Sequence, residues 1–192
     1  MRIAVWAIVI GGCVSPADPP AEPVPVPFVV SDYYSPDGFW GDGETFGFID
    51  VQRVCPDRPP GARGDCYTIT YKAGPKRNGG IFWQYPHNNW GFEPGRRISD
   101  GATKIVFQVK GKAGGEMVGF SAGQPGKLAH FDGFSLSTQR ATLTTAWAPQ
   151  TMLLRGERYS GMSGLLGAFE VIFEAPADDA TTVFYLADVQ WQ

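Results

Sequence analysis

Apolar and polar residues alternate through several short segments of the chain. The segment CYTITYK, residues 66–72, alternates aromatic or aliphatic residues with Thr and Lys, and KIVFQVK, residues 104–110, repeats this pattern. A period of two is typical of a β-strand with one buried face. The Gly-rich stretch at residues 111–115 then leads into EMVGFSAG, which indicates a β-hairpin.

Similar segments continue to the end of the chain without a long helical pattern. They are RATLTTAW, TMLLRG, GAFEVIFEA and TVFYLADVQWQ. Eight or more short strands at this spacing predict an all-β fold, a β-sandwich or jelly roll of antiparallel strands. Charged residues make up 18% and aromatics 14% of the 192 residues, with 25 Gly and 16 Pro, a composition that fits short strands and many turns. The net charge of −3 argues against a nucleic-acid partner.

The N-terminus has the features of an export signal. Arg2 precedes an apolar run at residues 3–10, which is too short to span a membrane but typical of a signal peptide. The sequence Ile-Gly-Gly-Cys at residues 10–13 resembles the bacterial lipobox. This resemblance implies cleavage before Cys13 and lipidation of that cysteine. The alternative is an ordinary secretory signal that happens to contain a cysteine.

A proline-rich stretch follows, with six prolines in residues 14–27. Such a stretch favours polyproline II and extends roughly 40 Å at about 3.1 Å per residue. We therefore expect a signal peptide at 1–12, a lipidated cysteine and stalk at 13–27, and one folded domain at 28–192. Val14 after the cysteine, instead of Asp, favours the outer membrane or the cell surface.

The other two cysteines bracket a polar loop. Cys55 and Cys66 enclose PDRPPGARGD, which is too polar to pack a core. In an exported protein we expect a disulfide across this loop, worth about 3 kcal/mol in the chain-entropy model. With Cys13 lipidated, each of the three cysteines then has a role. The alternative is a pair of free thiols.

The aromatic-rich stretch at residues 81–95, IFWQYPHNNWGFEPG, raises the question of a binding face. In a strand, Phe82 and Gln84 share one side, while Trp83 and Tyr85 share the other. Only one side can be core. We expect Phe82 to belong to the core, and the alternative places Trp83 and Tyr85 there.

The loop that follows is rich in turn residues and carries an indole. We expect Trp90, together with Asn88, Asn89 and Gln84, to lie towards the surface. An aromatic ring stacks on the C–H face of a sugar while amides bond its hydroxyl groups. The alternative is that Trp90 folds back as a lid on the core edge. The candidate ligand-binding residues are Trp83, Gln84, Tyr85, Asn88, Asn89, Trp90 and Trp147, and Trp40 shares the same core-or-surface ambiguity.

Three stretches resemble the galactose-binding-domain-like jelly roll of many carbohydrate-binding modules. They are GGIFWQYPHNNWGFEPG with the strands after it, LLGAFEVIFEAPADDATTVFYLADVQW, and DYYSPDGFWGDGE near the start of the domain. The resemblance covers about residues 31–192. It implies the sandwich fold and a glycan ligand, but it does not identify the glycan because this fold serves many functions.

The resemblance also implies a structural calcium ion near the start of the domain. Asp42 and Glu44, with Asp188 on the final strand, are the candidate ligands. Calcium takes about six to eight oxygen ligands, and a Gly-rich loop exposes carbonyl groups. The alternative is a turn that is simply rich in Asp and Gly.

Evidence for catalysis is weak. His87 and His130 have no accompanying Ser or Cys motif, and the acids Glu116, Glu170 and Glu174 on candidate strands fit solvated positions as well as a catalytic pair. Three hypotheses remain: a lipoprotein that binds a glycan without catalysis, a structural or adhesive lipoprotein with buried aromatics, and a small glycan-cleaving enzyme. Solvent exposure of the tryptophans discriminates among them.

Overall fold

The structure, a computed structural model, describes residues 22–156, 159 and 164–192, so the predicted signal peptide and Cys13 lie outside the described residues. The described residues contain eleven strands. They are β1 (Phe28–Val29), β2 (Ser35–Gly41), β3 (Ile49–Gln52), β4 (Cys66–Tyr71), β5 (Asn78–Gln84), β6 (Lys104–Gly111), β7 (Met117–Ser121), β8 (Gln139–Thr142), β9 (Ala148–Leu153), β10 (Gly167–Glu174) and β11 (Thr182–Trp191). Helical structure in this part of the chain is confined to short 3₁₀ turns, and none of it is long and apolar enough to cross a membrane.

The strands form two sheets packed face to face. The first sheet has the order β3-β4-β11-β6-β9, with β1 added beside β11, and the second has the order β2-β5-β10-β7-β8. Every strand pair within both sheets is antiparallel. The predicted antiparallel β-sandwich is therefore confirmed.

The core lies between the two sheets and is rich in aromatic rings. Phe107 of β6 is 2% exposed, and its ring centroid lies 4.8 Å from that of Phe120 and 4.9 Å from that of Phe169. Because side chains alternate along each strand, every second residue of β6 and β10 points into this layer. The residues between them point outwards and form the two outer faces of the sandwich.

The folded domain begins before the predicted boundary at residue 28. Val24 is 3% exposed and belongs to the core. Its N–H donates to the carbonyl of Arg97, and its carbonyl accepts from the N–H of Ser99. The end of the predicted stalk is thus part of the domain, because its valines pack as core residues even though prolines surround them.

The Cys55–Cys66 disulfide is confirmed, with a Cα–Cα distance of 5.6 Å. The loop that it closes is held against the outer face of the first sheet. The backbone N–H of Arg63 donates to Asp188 at 2.9 Å, and Lys110 pairs with Asp57 at 2.8 Å.

Candidate functional site

Strand β2 places Trp40 on the outer face of the second sheet. We expected this segment to be a calcium-binding loop, but it pairs with β5 through a register shift between Pro36 and Gly38. The cross-strand neighbour of Trp40 is Gly80. A Cβ atom on Gly80 would lie 2.4 Å from Nε1 of Trp40, so the missing side chain lets the indole lie directly over the strand.

Trp40 is tied to a buried acid at the centre of this face. Its indole N–H donates to Oε1 of Glu170 at 3.0 Å. Glu170 is only 7% exposed, and burial raises its pKa to about 7, although the hydrogen bond from Trp40 favours the charged form. Near neutral pH both protonation states of the Glu170 carboxyl group are therefore populated.

Cross-strand pairing arranges the face in two adjacent rows. The first row is Gly38, Phe82, Glu170 and Ser121, and the second is Trp40, Gly80, Ile172 and Gly119. Three of these eight positions are glycines, and each is covered by a neighbouring side chain: Gln84 lies over Gly38, Trp40 over Gly80 and Thr138 over Gly119. We give the name Trp40 face to the half-buried Trp40 and Trp90 together with the buried Phe82, Ser121 and Glu170.

Trp90 completes one end of the Trp40 face. It is half-buried, and its ring stands edge-on to Phe82 with the centroids 6.2 Å apart. Its indole N–H donates to Oδ1 of the exposed Asn88 at 2.9 Å. Trp90 and Asn88 thus lie towards the surface, as expected. The expectation for Phe82 is wrong, because Phe82 packs on the outer face under Trp90 instead of between the sheets.

Asn89 does not lie at the surface as predicted, since it is 4% exposed. Its Oδ1 accepts from the backbone N–H groups of Gly91, Phe92 and Glu93, and its Nδ2 donates to the carbonyl of Glu93. Asn89 therefore holds the turn that carries Trp90 and has no accessible amide to offer a ligand.

Gln84 is likewise buried, with no exposed surface. Its Nε2 donates to Oε1 of Gln124 at 2.6 Å, and Gln124 donates to the carbonyl of Asn89 at 3.2 Å. The Gln84 amide also packs over Gly38, where a Cβ would lie 2.3 Å from its Cδ. Gln84 therefore has no exposed amide to offer a ligand, and its side chain lies buried on the outer side of β5 against Gly38 and Gln124.

Trp83 and Tyr85 point to the other side of strand β5. Trp83 is fully buried, with its ring 5.3 Å from Tyr67 and 5.4 Å from Phe169. Tyr85 packs against the edge of the core, where the guanidinium of Arg96 lies 4.9 Å from its ring centroid. The core alternative is correct for this pair, and neither residue reaches the Trp40 face.

Trp147 lies on the opposite side of the sandwich. Its ring is 6.4 Å from Tyr185 of the first sheet, and its indole N–H donates to the carbonyl of Asp57 at 2.5 Å. Trp147 therefore supports the disulfide-closed loop. A shared binding site would require Trp147 to lie near Trp90, but the two residues lie on opposite sides of the sandwich.

The predicted calcium ligands already have protein partners. Asp42 is 2% exposed and accepts from the Tyr71 hydroxyl and from the N–H groups of Gly74 and Lys76. Burial raises its pKa, but these hydrogen bonds outweigh burial and lower the pKa overall. Glu44 pairs with the ammonium group of Lys76.

Asp188 lies far from the other two acids. Asp42 accepts a hydrogen bond from Tyr71, which pairs with Thr182 at the start of β11. Asp188 lies six residues after Thr182 in the same strand, a distance of about 20 Å at the usual rise of a β-strand. No group of three His, Cys, Asp or Glu side chains in the described part of the chain is arranged to hold a metal ion. The three residues do not form one site here, and calcium binding stays a prediction without an assigned site.

The strand acids are poorly placed for glycoside hydrolysis. Glu170 and Glu174 share the outer face, as the alternation predicts, but four residues of strand separate them by about 13 Å. Paired catalytic carboxylates lie about 5 to 9.5 Å apart. Glu174 is also engaged with the guanidinium of Arg140, which lowers its pKa.

The sequence alone places Glu170 on the outer face, whereas it does not place Trp40. Glu170 alternates with Phe169 and Val171 in an apolar strand, so it had to face away from the core. Trp40 lies among glycines and acids that obscure the strand, and Ser121 gave no signal at all. Trp40 and Glu170, not the amides of the following loop, provide the polar groups of the face, because the buried Ser121 hydroxyl already donates to the carbonyl of Leu136.

The chain is similar in fold to solved carbohydrate-binding modules. The chain is similar to the family 11 carbohydrate-binding module of cellulosomal cellulase Lic26A-Cel5E of Clostridium thermocellum, with TM-score 0.53, 14% identity, and coverage of 86% of this chain and 93% of that one. A family 30 carbohydrate-binding module gives TM-score 0.54 and 12% identity, covering 87% and 98%.

A third structure, the family 30 module of cellulosomal cellulase Cel9D-Cel44B of Clostridium thermocellum, gives TM-score 0.51 and 15% identity, covering 83% and 94%. At these identities the likeness shows the fold. No protein-family model matches the chain. No curated protein matches it either.

Proposed function

We propose that this protein binds a glycan without catalysis and that the ligand lies on the Trp40 face. The observation that carries the proposal is the contact between the Trp40 indole and the buried Glu170 carboxylate beside the Phe82–Trp90 pair. A sugar requires such a combination, because its C–H face packs on a ring while its hydroxyl groups bond a carboxylate or hydroxyl. The similar structures named above support a glycan as the ligand class.

A glycan array on the purified full chain, followed by calorimetry on the strongest hit, tests this proposal. Trp40→Ala should weaken binding by about 10- to 100-fold, the range expected for losing a central aromatic contact. Trp147→Ala is the matched control, since this indole lies on the opposite sheet and should leave affinity unchanged. Equal losses in both variants, or no glycan bound at all, would contradict the proposal.

We further propose that the protein is an exported lipoprotein, anchored through Cys13. Support comes from the lipobox resemblance and the prolines that follow it. Because Val24 already packs in the core, the spacer is shorter than residues 14–27 and spans roughly 30 Å if extended. Two or more acyl chains give stable attachment where one chain does not. Cys13→Ser should move the protein from the detergent phase to the aqueous phase, and unchanged partitioning would reject the anchor.

A further inference from the structure

Asp37 is the extra residue of a β-bulge in the edge strand β2. On either side of it, Pro36 pairs with Trp83 and Gly38 pairs with Phe82, so Asp37 has no partner on β5. A bulge bends an edge strand and changes the direction of the side chain at the extra residue, and bulges are frequent beside functional sites. The bulge therefore lets this acid point at a neighbouring loop instead of following the alternation of the strand.

The Asp37 carboxylate holds two consecutive residues of the loop after β5. Its Oδ2 lies 2.5 Å from Nδ1 of His87, and its Oδ1 accepts from the backbone N–H of Asn88 at 3.2 Å. Only 9% of the Asp37 side chain is exposed, whereas 82% of the His87 side chain is exposed. The carboxylate is thus largely removed from water, which strengthens its contacts with the loop.

Asn88 connects this carboxylate to the Trp90 indole. Its φ of 51° is left-handed, a conformation that Asn adopts more readily than most residues. In this conformation its backbone N–H donates to Asp37, while its Oδ1 accepts from the indole N–H of Trp90 at 2.9 Å. A ring stacks on a sugar only when it presents its face, so the direction of the indole decides whether Trp90 can bind a glycan.

A different residue holds the backbone of the same loop. Asn89 accepts from three backbone N–H groups of the turn, and none of these bonds involves the Trp90 side chain. The position of the turn and the direction of the indole therefore depend on separate contacts. A change at Asp37 can alter the indole while Asn89 keeps the turn in place.

We propose that Asp37 is a positioning residue for glycan binding: it fixes Asn88 and, through Asn88, holds the indole of Trp90 in the orientation that contacts the glycan. His87 binds the second carboxylate oxygen and keeps the carboxylate turned towards the loop. The glycan part of this proposal rests on the proposed function of the Trp40 face. The orientation of the indole does not require a ligand, so it is measured separately.

The first experiment records the indole N–H signals of the full chain labelled with ¹⁵N at tryptophan, and the Trp90 signal is assigned by its loss in Trp90→Phe. Asp37→Ala should shift the Trp90 signal towards its position in the urea-unfolded protein, and Asn88→Gly should do the same. The signals of Trp83 and Trp191, both buried in the core, should stay fixed and show that the variants are folded. Asp37→Asn keeps an acceptor for the loop N–H and should restore the Trp90 signal.

The Trp40 signal separates an effect on the indole from an effect on the strand. Trp40 lies on β2 with Asp37, and its N–H bond to Glu170 should keep its signal in place in Asp37→Ala. A joint shift of the Trp40 and Trp90 signals would mean that Asp37 holds the strand, and this would overturn the proposal. An unchanged Trp90 signal in Asp37→Ala, or no recovery in Asp37→Asn, would also overturn it.

The second experiment titrates the strongest hit of the glycan array into the same variants. Asp37→Ala should weaken binding about tenfold, and Asp37→Asn by less than about threefold. In a Trp90→Ala background, Asp37→Ala should cause no further loss, because the carboxylate acts through the indole. Asp50→Ala is the matched control, since this exposed acid lines the same surface groove as Asp37 and bonds Gln52 instead of the loop.

The two experiments fail independently. A full additional loss in the Trp90→Ala background would mean that Asp37 contacts the glycan itself, and this would overturn the positioning role. An equal loss in Asp50→Ala would attribute the effect to charge alone and would overturn it as well. If the wild-type protein bound no glycan, the proposed function would be rejected, while the indole signals would still decide whether Asp37 orients Trp90.

Discussion

The indole N–H of Trp40 donates to the carboxylate of Glu170 at 3.0 Å, joining residues 130 positions apart in the chain. The contact links the edge strand β2 to the middle strand β10 of the second sheet, and it passes over Gly80 of the intervening strand β5. Because Glu170 is buried, this arrangement makes the stability of the domain depend on pH.

Glu170→Gln should stabilise the domain above neutral pH. The folded-state pKa of about 7 lies above the usual value of 4.5, so the folded protein binds more protons between these values and loses stability as pH rises through them. The full shift corresponds to about 3 kcal/mol, an upper limit for the gain at pH 8. Urea unfolding at pH 5 and pH 8 measures the change.

Glu174→Gln is the matched control for that experiment. Glu174 is exposed and its pKa is lowered by Arg140, so the stability it contributes is present above its unfolded pKa and is lost on acidification. As a surface ion pair it should contribute less than about 1 kcal/mol. A Glu170→Gln variant that retains the wild-type pH dependence between pH 5 and pH 8 would contradict the burial argument.

Gly80→Val should displace Trp40 and weaken glycan binding. A Cβ at position 80 collides with Nε1 and Cε2 of the indole at 2.4 and 2.6 Å and with the backbone carbonyl of Val171 at 2.7 Å. The ring must therefore leave Glu170, and the pairing of β5 with β10 must shift, so urea unfolding of the variant accompanies the titration. The affinity loss should match that of Trp40→Ala within about threefold, and the double variant should add little to either single change. Isothermal titration of the three variants tests this. Additive losses would show that the two residues act separately.

Asn89→Ala should destabilise the domain by about 1–3 kcal/mol, because it leaves the buried N–H of Gly91 and the partly buried N–H groups of Phe92 and Glu93 without an acceptor. Asn88→Gly is the control, since Asn88 is exposed, its side chain accepts only from Trp90 among the described contacts, and glycine adopts its φ of 51° without strain. Chemical unfolding compares the two. Similar small losses would mean that Asn89 does not hold the turn.

Reduction of the Cys55–Cys66 bond should lower the free energy of unfolding by about 3 kcal/mol, as loop closure predicts. Before reduction, the denatured Cys13→Ser chain should show no free thiol. Cys55→Ala with Cys66→Ala tests the same loop without a reductant. Two reactive thiols in the unreduced protein would rule out the bridge in solution.

The sequence predicted the strands with one buried face and missed those defined by their partners. Alternation identified β4, β6 and β10 because packing repeats every second residue. Strand β2 was not predicted, because Ser-Pro-Asp-Gly at its start is typical of a turn. This segment forms a strand only through its pairing with β5. The binding site could not be predicted for the same reason, because a contact such as Trp40–Glu170 depends on which strands are neighbours in the sheet.

The amide-rich loop shows why composition misled the choice of ligand residues. Asn and Gln bond backbone groups as well as sugars, and the sequence does not say which partner is closer. Asn89 and Gln84 are buried and form hydrogen bonds within the protein, whereas Asn88 is exposed. The surface interpretation holds in this loop for Asn88 and Trp90.

Trp90→Ala and Phe107→Ala should therefore have opposite effects on binding and stability. Trp90 is half-buried at the end of the Trp40 face, so its removal should cost about 1–3 kcal/mol of glycan binding. Phe107 is 2% exposed between Phe120 and Phe169, and its removal leaves a core cavity that should cost about 3–5 kcal/mol of stability. Calorimetric titration and urea unfolding of both variants give the four values needed. If Trp90→Ala unfolded the domain as strongly as Phe107→Ala and left glycan affinity unchanged, Trp90 would be a structural lid over Phe82, and the binding surface would have to exclude it.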